Sequence, residues 1–186
     1  VLPDFLANIE FNKSKKIQLN YNLKTTFSDA SKFANRYYLQ SYNSVFKGNE
    51  TLENNLFHSA RIYYSRFSLY RGIMLFANLN YNKQIKGVRS TVDFNDVNQF
   101  LTVKMFDNPS EDWRGSIHLE KTIKDLKYKF DVGFNNSTYI QEINNTNQTN
   151  TNNGYDYEFA IETLFKNFPT IEVGLKTDIG KFTSSL

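Results

Sequence analysis

Three observations predict an all-β chain, an antiparallel segment of a transmembrane β-barrel with about eight strands of a larger barrel. The first is alternation. In residues 17–27, Ile17, Leu19, Tyr21, Leu23 and Phe27 take one face, and Gln18, Asn20, Asn22, Lys24 and Thr26 take the other. Successive side chains of a strand point to opposite faces, so all the apolar groups gather on one side. The pattern recurs at 126–134 and 155–165. The second observation is length. These runs extend to about ten residues, close to the 9–11 that cross a bilayer at a tilt, whereas strands of soluble sandwiches average about 5–6. The third is that short and long connections alternate, as they do in membrane barrels with tight periplasmic turns and longer external loops.

The elements follow in order. A first strand covers about 4–11, and Asn12-Lys13-Ser14-Lys15 turns into a second at about 16–27. A long connection, 28–54, precedes a third strand at about 55–65, with Leu56, His58, Ala60, Ile62 and Tyr64 on one face. Residues 66–72 turn into a fourth strand starting at Ile73 and running on to Val92. Its polar face is interrupted by Met74 and Phe76, and Phe94-Asn95-Asp96 reads as a hairpin tip. The fifth strand, about 98–120, is expected to bulge at Asn108-Pro109, because proline cannot donate to a ladder. The sixth spans about 126–139. The Asn/Thr-rich stretch 144–154 reads as a solvated, mobile tip, and strands at about 155–165 and 170–182 follow. External loops are therefore placed near 28–54, 93–97 and 143–154, and residues 1–186 form one barrel segment. Counting hairpins puts both ends of the chain outside the cell. The expectation is a slice of a larger barrel cut at two external loops.

Composition fits this reading. Mean hydropathy is −0.55, yet half of every barrel strand faces a polar lumen, so a negative value does not exclude a membrane. No run approaches the roughly 18 apolar residues of a transmembrane helix. The absence of cysteine excludes disulfides and thiolate metal sites, and a net charge of +3 is too small to argue for nucleic acid as a partner. The sequence opens Val1-Leu2-Pro3, with neither an initiator Met nor a signal peptide, which points to processing or excision.

Candidate functional residues are few. His58 and His118 lie on different strands without a third ligand at metal spacing, so no metal site, cofactor or catalytic constellation is expected. Glu158 and Glu162 share one face with Asp156, and Glu172, Lys176 and Asp178 on the next strand offer partners. The expected lumen-facing set is Gln18, Asn20, Asn22, Lys24, Arg61, Glu158, Glu162, Glu172, Lys176 and Asp178. Lipid-facing candidates are Leu19, Tyr21, Leu23, Leu75, Leu79, Tyr128, Phe130, Val132, Phe159, Ile161, Val173 and Leu175. Arg36, Tyr37, Tyr38, Tyr42 and Phe46 crowd the long loop, either as an external platform for a ligand or partner or as a loop packed on itself. Trp113 suits an interfacial belt. Asn12, Asn49, Asn136, Asn144 and Asn147 each open an Asn-x-Ser/Thr triplet, a match expected by chance in so Asn- and Thr-rich a chain.

Leu2-Pro3-Asp4-Phe5 leads a strand into the turn 12–16, and Gly48-Asn49-Glu50-Thr51-Leu52 precedes His58 and Tyr63-Tyr64. This order resembles the barrel portion of TonB-dependent-receptor-like outer-membrane proteins of Bacteroidetes. In that family a Gly-Asn-x-x-Leu segment ends an external loop and a His opens the next strand. Gly48, Asn49, Leu52 and His58 fit that pattern, while Glu50 and the residues around Asn54 stand where the family commonly has Pro. The resemblance implies a parent barrel of about 22 strands, with a plug and an energy-coupling box outside this chain. It also implies location in the cell outer membrane and energy-coupled uptake of a scarce or large ligand. Its implied partners are the lipid bilayer, the remainder of the barrel and plug, and a TonB-type energy coupler or surface lipoproteins. Two other readings remain: a barrel of the same ancestry serving as a structural or secretion-linked subunit, and a soluble all-β binding module. The last requires a second sheet against Ile17, Leu19, Tyr21 and Leu23.

Overall fold

A computed structural model describes residues 2–185. The chain is all-β. Its strands are β1 (Asp4–Asn12), β2 (Lys15–Thr26), β3 (Tyr37–Ser41), β4 (Ser44–Lys47), β5 (Asn55–Ser68), β6 (Ile73–Asn95), β7 (Asn98–Ile123), β8 (Leu126–Ile143), β9 (Thr146–Thr163) and β10 (Glu172–Ser184). The one helical element is a 3-10 turn at Ala30–Phe33. The strands form a single sheet in the order β1-β2-β5-β6-β7-β8-β9-β10, and the β3–β4 hairpin joins it through β7. The sheet is open, since β1 and β10 each pair on one side only.

The expected antiparallel meander is present, with two differences. The sheet has ten strands rather than eight, and it is mixed: β4 runs parallel to β7 at Ser44–Lys47, and Thr91-Val92 of β6 run parallel to Glu142-Ile143 of β8. Both follow from a half-turn in the β6–β7 ribbon. Below residue 84, β6 borders β5 and β7 borders β8. Above it, β7 borders β4 and β6 borders β8, so the ribbon has rolled over. The register slips between Gln84 and Lys86, opposite Asn108-Pro109, with Asn108 in the left-handed region at φ 49°. An isolated two-stranded ribbon twists more than a wide sheet, and a bulge adds to that twist.

The long connection 28–54 is not structureless. It holds the 3-10 turn, β3 and β4, and it closes a small core of Phe46, Leu52, Val88 and Val103, flanked by Phe33, Leu101 and Met105. The Asn/Thr-rich tip is also corrected. β9 begins at Thr146, so residues 146–154 are paired strand, with Thr146 opposite Ile143 and Gly154 opposite Asn135. Cross-strand hydrogen bonds between Asn136 and Asn153 and between Thr138 and Thr151 replace an apolar face there. The turn shrinks to Asn144-Asn145, both at positive φ (48° and 58°), a conformation asparagine tolerates better than most residues.

Candidate functional site

The cross-strand register fixes which side chains share a face. Leu19 lies opposite Ile62, and the row continues through Leu79, Gly115, Phe134, Tyr155 and Ile179. One position along, Ile17 heads Tyr64, Ala77, Ile117, Val132, Tyr157 and Thr177. Every lipid-facing candidate named above falls on this apolar face. Many of its large side chains stand exposed, among them Ile62, Ile117, Phe130, Phe159, Val173 and Leu175. No second sheet covers it among the described residues. Gly115 lies under the ring of Phe134, which a Cβ would strike.

The apolar band has definite limits. On β6 it runs from Ile73 to Tyr81 and ends at Lys83, whose row holds His58, Glu111, Thr138 and Thr151. Tyr81 and Trp113 are the last apolar positions on β6 and β7, with their rings 4.3 Å apart. The band is oblique to the strands. Ile17, its lower limit on β2, shares a row with Thr177, six residues beyond Ile171 on β10. Leu23, its upper limit, shares a row with Thr183, four residues beyond Ile179. At about 3.3 Å per residue and about 4.8 Å per strand, this drift amounts to a tilt of roughly 30°.

The opposite face is polar, and it gathers every residue of the expected lumen set. Arg61 is opposite Asn20, Glu158 opposite Lys176, Glu162 opposite Glu172, and Asp178 opposite Asp156. Glu162 accepts from Lys127 at 2.9 Å and Lys129 at 2.8 Å, and Lys129 also reaches Glu172 at 2.8 Å. His118 bonds Asp131 on the neighbouring strand and lies 3.4 Å from Glu120. Met74 and Phe76 interrupt this face as the sequence indicates. The ring of Phe76 sits between Tyr63 and His118, at 6.5 and 6.3 Å between centroids. No cluster of three or more His, Asp or Glu side chains able to hold a metal occurs among the described residues.

The cap beyond the Lys83 row explains the Gly48-Asn49-x-x-Leu52 segment physically. A Cβ on Gly48 would stand 2.5 Å from the carbonyl oxygen of Ala34, so only glycine allows this approach. The Asn49 side chain accepts from the Thr51 amide at 2.9 Å and its hydroxyl at 2.7 Å, and donates to the Val103 carbonyl at 3.3 Å. Asn12 makes the same turn onto Ser14, so two of the Asn-x-Ser/Thr triplets are turn caps. Leu52 fills the core. His58 Nδ1 is 2.7 Å from the Tyr21 hydroxyl at the edge of the apolar band.

Of the platform candidates, Arg36, Tyr37, Tyr38 and Tyr42 are exposed, with Tyr42 fully so. Phe46 is a correction. It is 7% exposed and packs the loop on itself, with Tyr38 tilted onto it at 5.1 Å, so it offers no surface. Sequence reasoning missed Asn55, which pins the ribbon where it rolls over. Its side-chain Oδ1 accepts from the Val88 amide at 2.8 Å and Gln84 Nε2 at 3.3 Å. It also missed Glu53–Lys86, a 2.7 Å pair across the cap. The lysine holds the Glu53 carboxyl below its ordinary pKa, and the carboxylate raises that of Lys86. No protein-family model, no curated protein and no solved structure matches the chain.

Proposed function

We propose that this sheet is a sector of an outer-membrane barrel wall of the TonB-dependent-receptor-like kind. The apolar face meets lipid, the polar face meets an aqueous lumen, and the cap lies outside the cell. Its work is that of wall, selectivity surface and scaffold for energy-coupled uptake of a scarce or large ligand, with no chemistry of its own.

The observation that carries this reading is the uncovered apolar band backed by a polar face. The band on β6 covers about nine residues, or about 30 Å of strand. At a tilt of roughly 30° it stands about 25 Å tall, the height of the apolar belt on membrane barrels. Tyr81 and Trp113, at the upper end of the band on β6 and β7, sit where such barrels carry an interfacial girdle. Among the described residues the outer hydrogen-bonding edges of β1 and β10 are unpaired, which suits pairing with further strands of a parent barrel. A soluble sandwich would leave the apolar band without its second layer.

A second reading, a scaffold or secretion-linked subunit, is favoured by the cap. Tyr37, Leu39 and Tyr42 are exposed on a packed, well-braced surface that a surface lipoprotein could cover. Fractionation of native cells with peptide mapping tests both readings. Recovery only in detergent, within a chain of several hundred residues bearing a plug and coupling box, supports the transporter. The same recovery without those parts favours the scaffold. A species that stays folded in water without lipid would overturn both.

A further inference from the structure

We infer that the polar face holds a binding site for a small carboxylate-bearing solute with a short apolar body. It rests on the reading of that face as a lumen wall. Five side chains from three adjacent strands build the site. Leu6 is opposite Asn20, Asn20 opposite Arg61, and Gln18 opposite Tyr63. Together they line a hollow of about 390 Å³, within the range of small-molecule pockets.

The lining is rich in donors and contains no acidic side chain. Arg61 brings a planar guanidinium, Gln18 an amide and Tyr63 a phenolic hydroxyl. The Asn20 side-chain oxygen is already taken, accepting from Asn22 Nδ2 at 3.2 Å, so its own amide N–H groups remain to donate. The hollow brings no carboxylate to Arg61. By contrast Arg114, further along the same row, is 3.1 Å from Asp112.

Depth is the second observation. Arg61 lies in the strand between Ala60, in the row of Tyr21 and Tyr81, and Ile62, in the row of Leu19 and Leu79, so it stands within the span of the apolar band on the other face. An ionisable group within the span of a membrane wall faces a wet cavity and commonly marks the path of a solute. A guanidinium matches a carboxylate with two parallel N–H bonds. A doubly charged phosphate would call for a second cation, and the hollow has one. Leu6 and Tyr63 supply apolar wall for the body of the solute.

The test is equilibrium binding of 4-phenylbutyrate and its uncharged amide to the whole protein in lipid nanodiscs, with binding to protein-free nanodiscs subtracted. The acid should bind about tenfold tighter than the amide, as a charge-assisted bidentate pair allows. Arg61→Gln should abolish that preference, Arg61→Lys should keep part of it, and Tyr63→Leu should weaken both probes. Lys181→Gln, distant from the hollow, should change nothing. Far-UV circular dichroism identifies any variant that fails to fold, and Arg61→Lys with Tyr63→Leu then carry the comparison. Equal binding of acid and amide, or a preference that survives Arg61→Gln, overturns the site. Absence of probe binding together with a lower unfolding temperature for Arg61→Gln assigns the carboxylate to a resident side chain and also overturns it. Failure of the membrane reading shows separately, as a protein folded in water without lipid, where the acid–amide comparison is repeated in buffer.

Discussion

Leu19 and Tyr155 occupy the same cross-strand row of the apolar face, five strands apart. In a soluble sheet they would sit at equal height. The oblique band says otherwise. A tilt of roughly 30° over five steps of about 4.8 Å lifts Tyr155 about 12 Å above Leu19, half the height of a membrane belt. On the proposed membrane reading, Leu19 is near the bilayer midplane and Tyr155 at its outer edge. Arginine on the lipid face of a barrel costs about 2–4 kcal/mol at the midplane and about 0–1 near the interface. Leu19→Arg should therefore lose about 2–4 kcal/mol of unfolding free energy and Tyr155→Arg about 0–1, measured by reversible denaturant titration in lipid vesicles. Val132→Arg, about 5 Å above the middle of the band on β8, belongs with the costly group. Leu23→Arg is expected on alternation alone to be costly. Its register beside His58 and Lys83 places it at the outer boundary, so it should be cheap. Asn22→Arg, on the polar face near Asp4, should cost least. Equal losses at Leu19 and Tyr155, or a loss at Asn22 as large as at Val132, would refute the oblique-band argument.

The cap supports further tests. Leu52→Ala, at 8% exposure in a small core, should cost about 2–4 kcal/mol of local stability, read as faster amide exchange and proteolysis within 28–54 while the sheet stays protected. Asn145→Gly should slow exchange across the β8–β9 hairpin, because φ is 58° there and Asn-Gly is the preferred pair for a two-residue turn with both residues at positive φ; a neutral result in hairpin exchange rates would count against the turn geometry. The Glu53–Lys86 pair should support the cap only within a pH window. The depressed Glu53 pKa means its contribution is present above the ordinary carboxylate range and is lost as pH falls through the folded value. The raised Lys86 pKa means the contribution is present below the ordinary lysine range and is lost as pH rises through the folded value. Exchange of the 48–55 amides against pH should be flat in between, and Glu53→Gln should remove both limbs.

What could be read from the sequence depended on whether a signal was local. The strands at 17–27 and 126–134 carry their own alternation, and the register confirms both faces residue by residue up to Thr26 in the first, where β2 ends before Phe27, and throughout the second. β3 and β4 have no such signal. They are five and four residues long, and β4 takes its place from Gln99–Thr102, on a hairpin more than fifty residues away. Phe46 reads as a surface aromatic until Val88 and Val103 arrive to bury it. Residues 146–154 lack apolar groups, so composition implies a mobile tip. They are ordered instead by backbone pairing to β8 and by matched Asn and Thr side chains, interactions that need no apolar face.

The location of burial ties fold to function. Among the described residues, the buried apolar side chains are Phe46, Leu52, Val88, Val103 and Ala160, with Pro109 at the bulge, and the first four are the core of the cap. The wide sheet therefore has almost no dry interior of its own, although it carries most of the large apolar side chains. A sheet of that kind needs a second apolar phase to cover it, and its polar reverse excludes a second protein layer of the same character there. The cap needs neither. It has its own core, a turn cap at Asn49, Asn55 holding the Val88 amide, and a ribbon rolled half over to brace it. A self-supporting cap on a sheet that depends on its surroundings is the division expected where one part stands in water and the other in lipid. On the proposed reading, Arg61, with no carboxylate in its hollow, lies on the polar face where a solute passing through the wall would meet it.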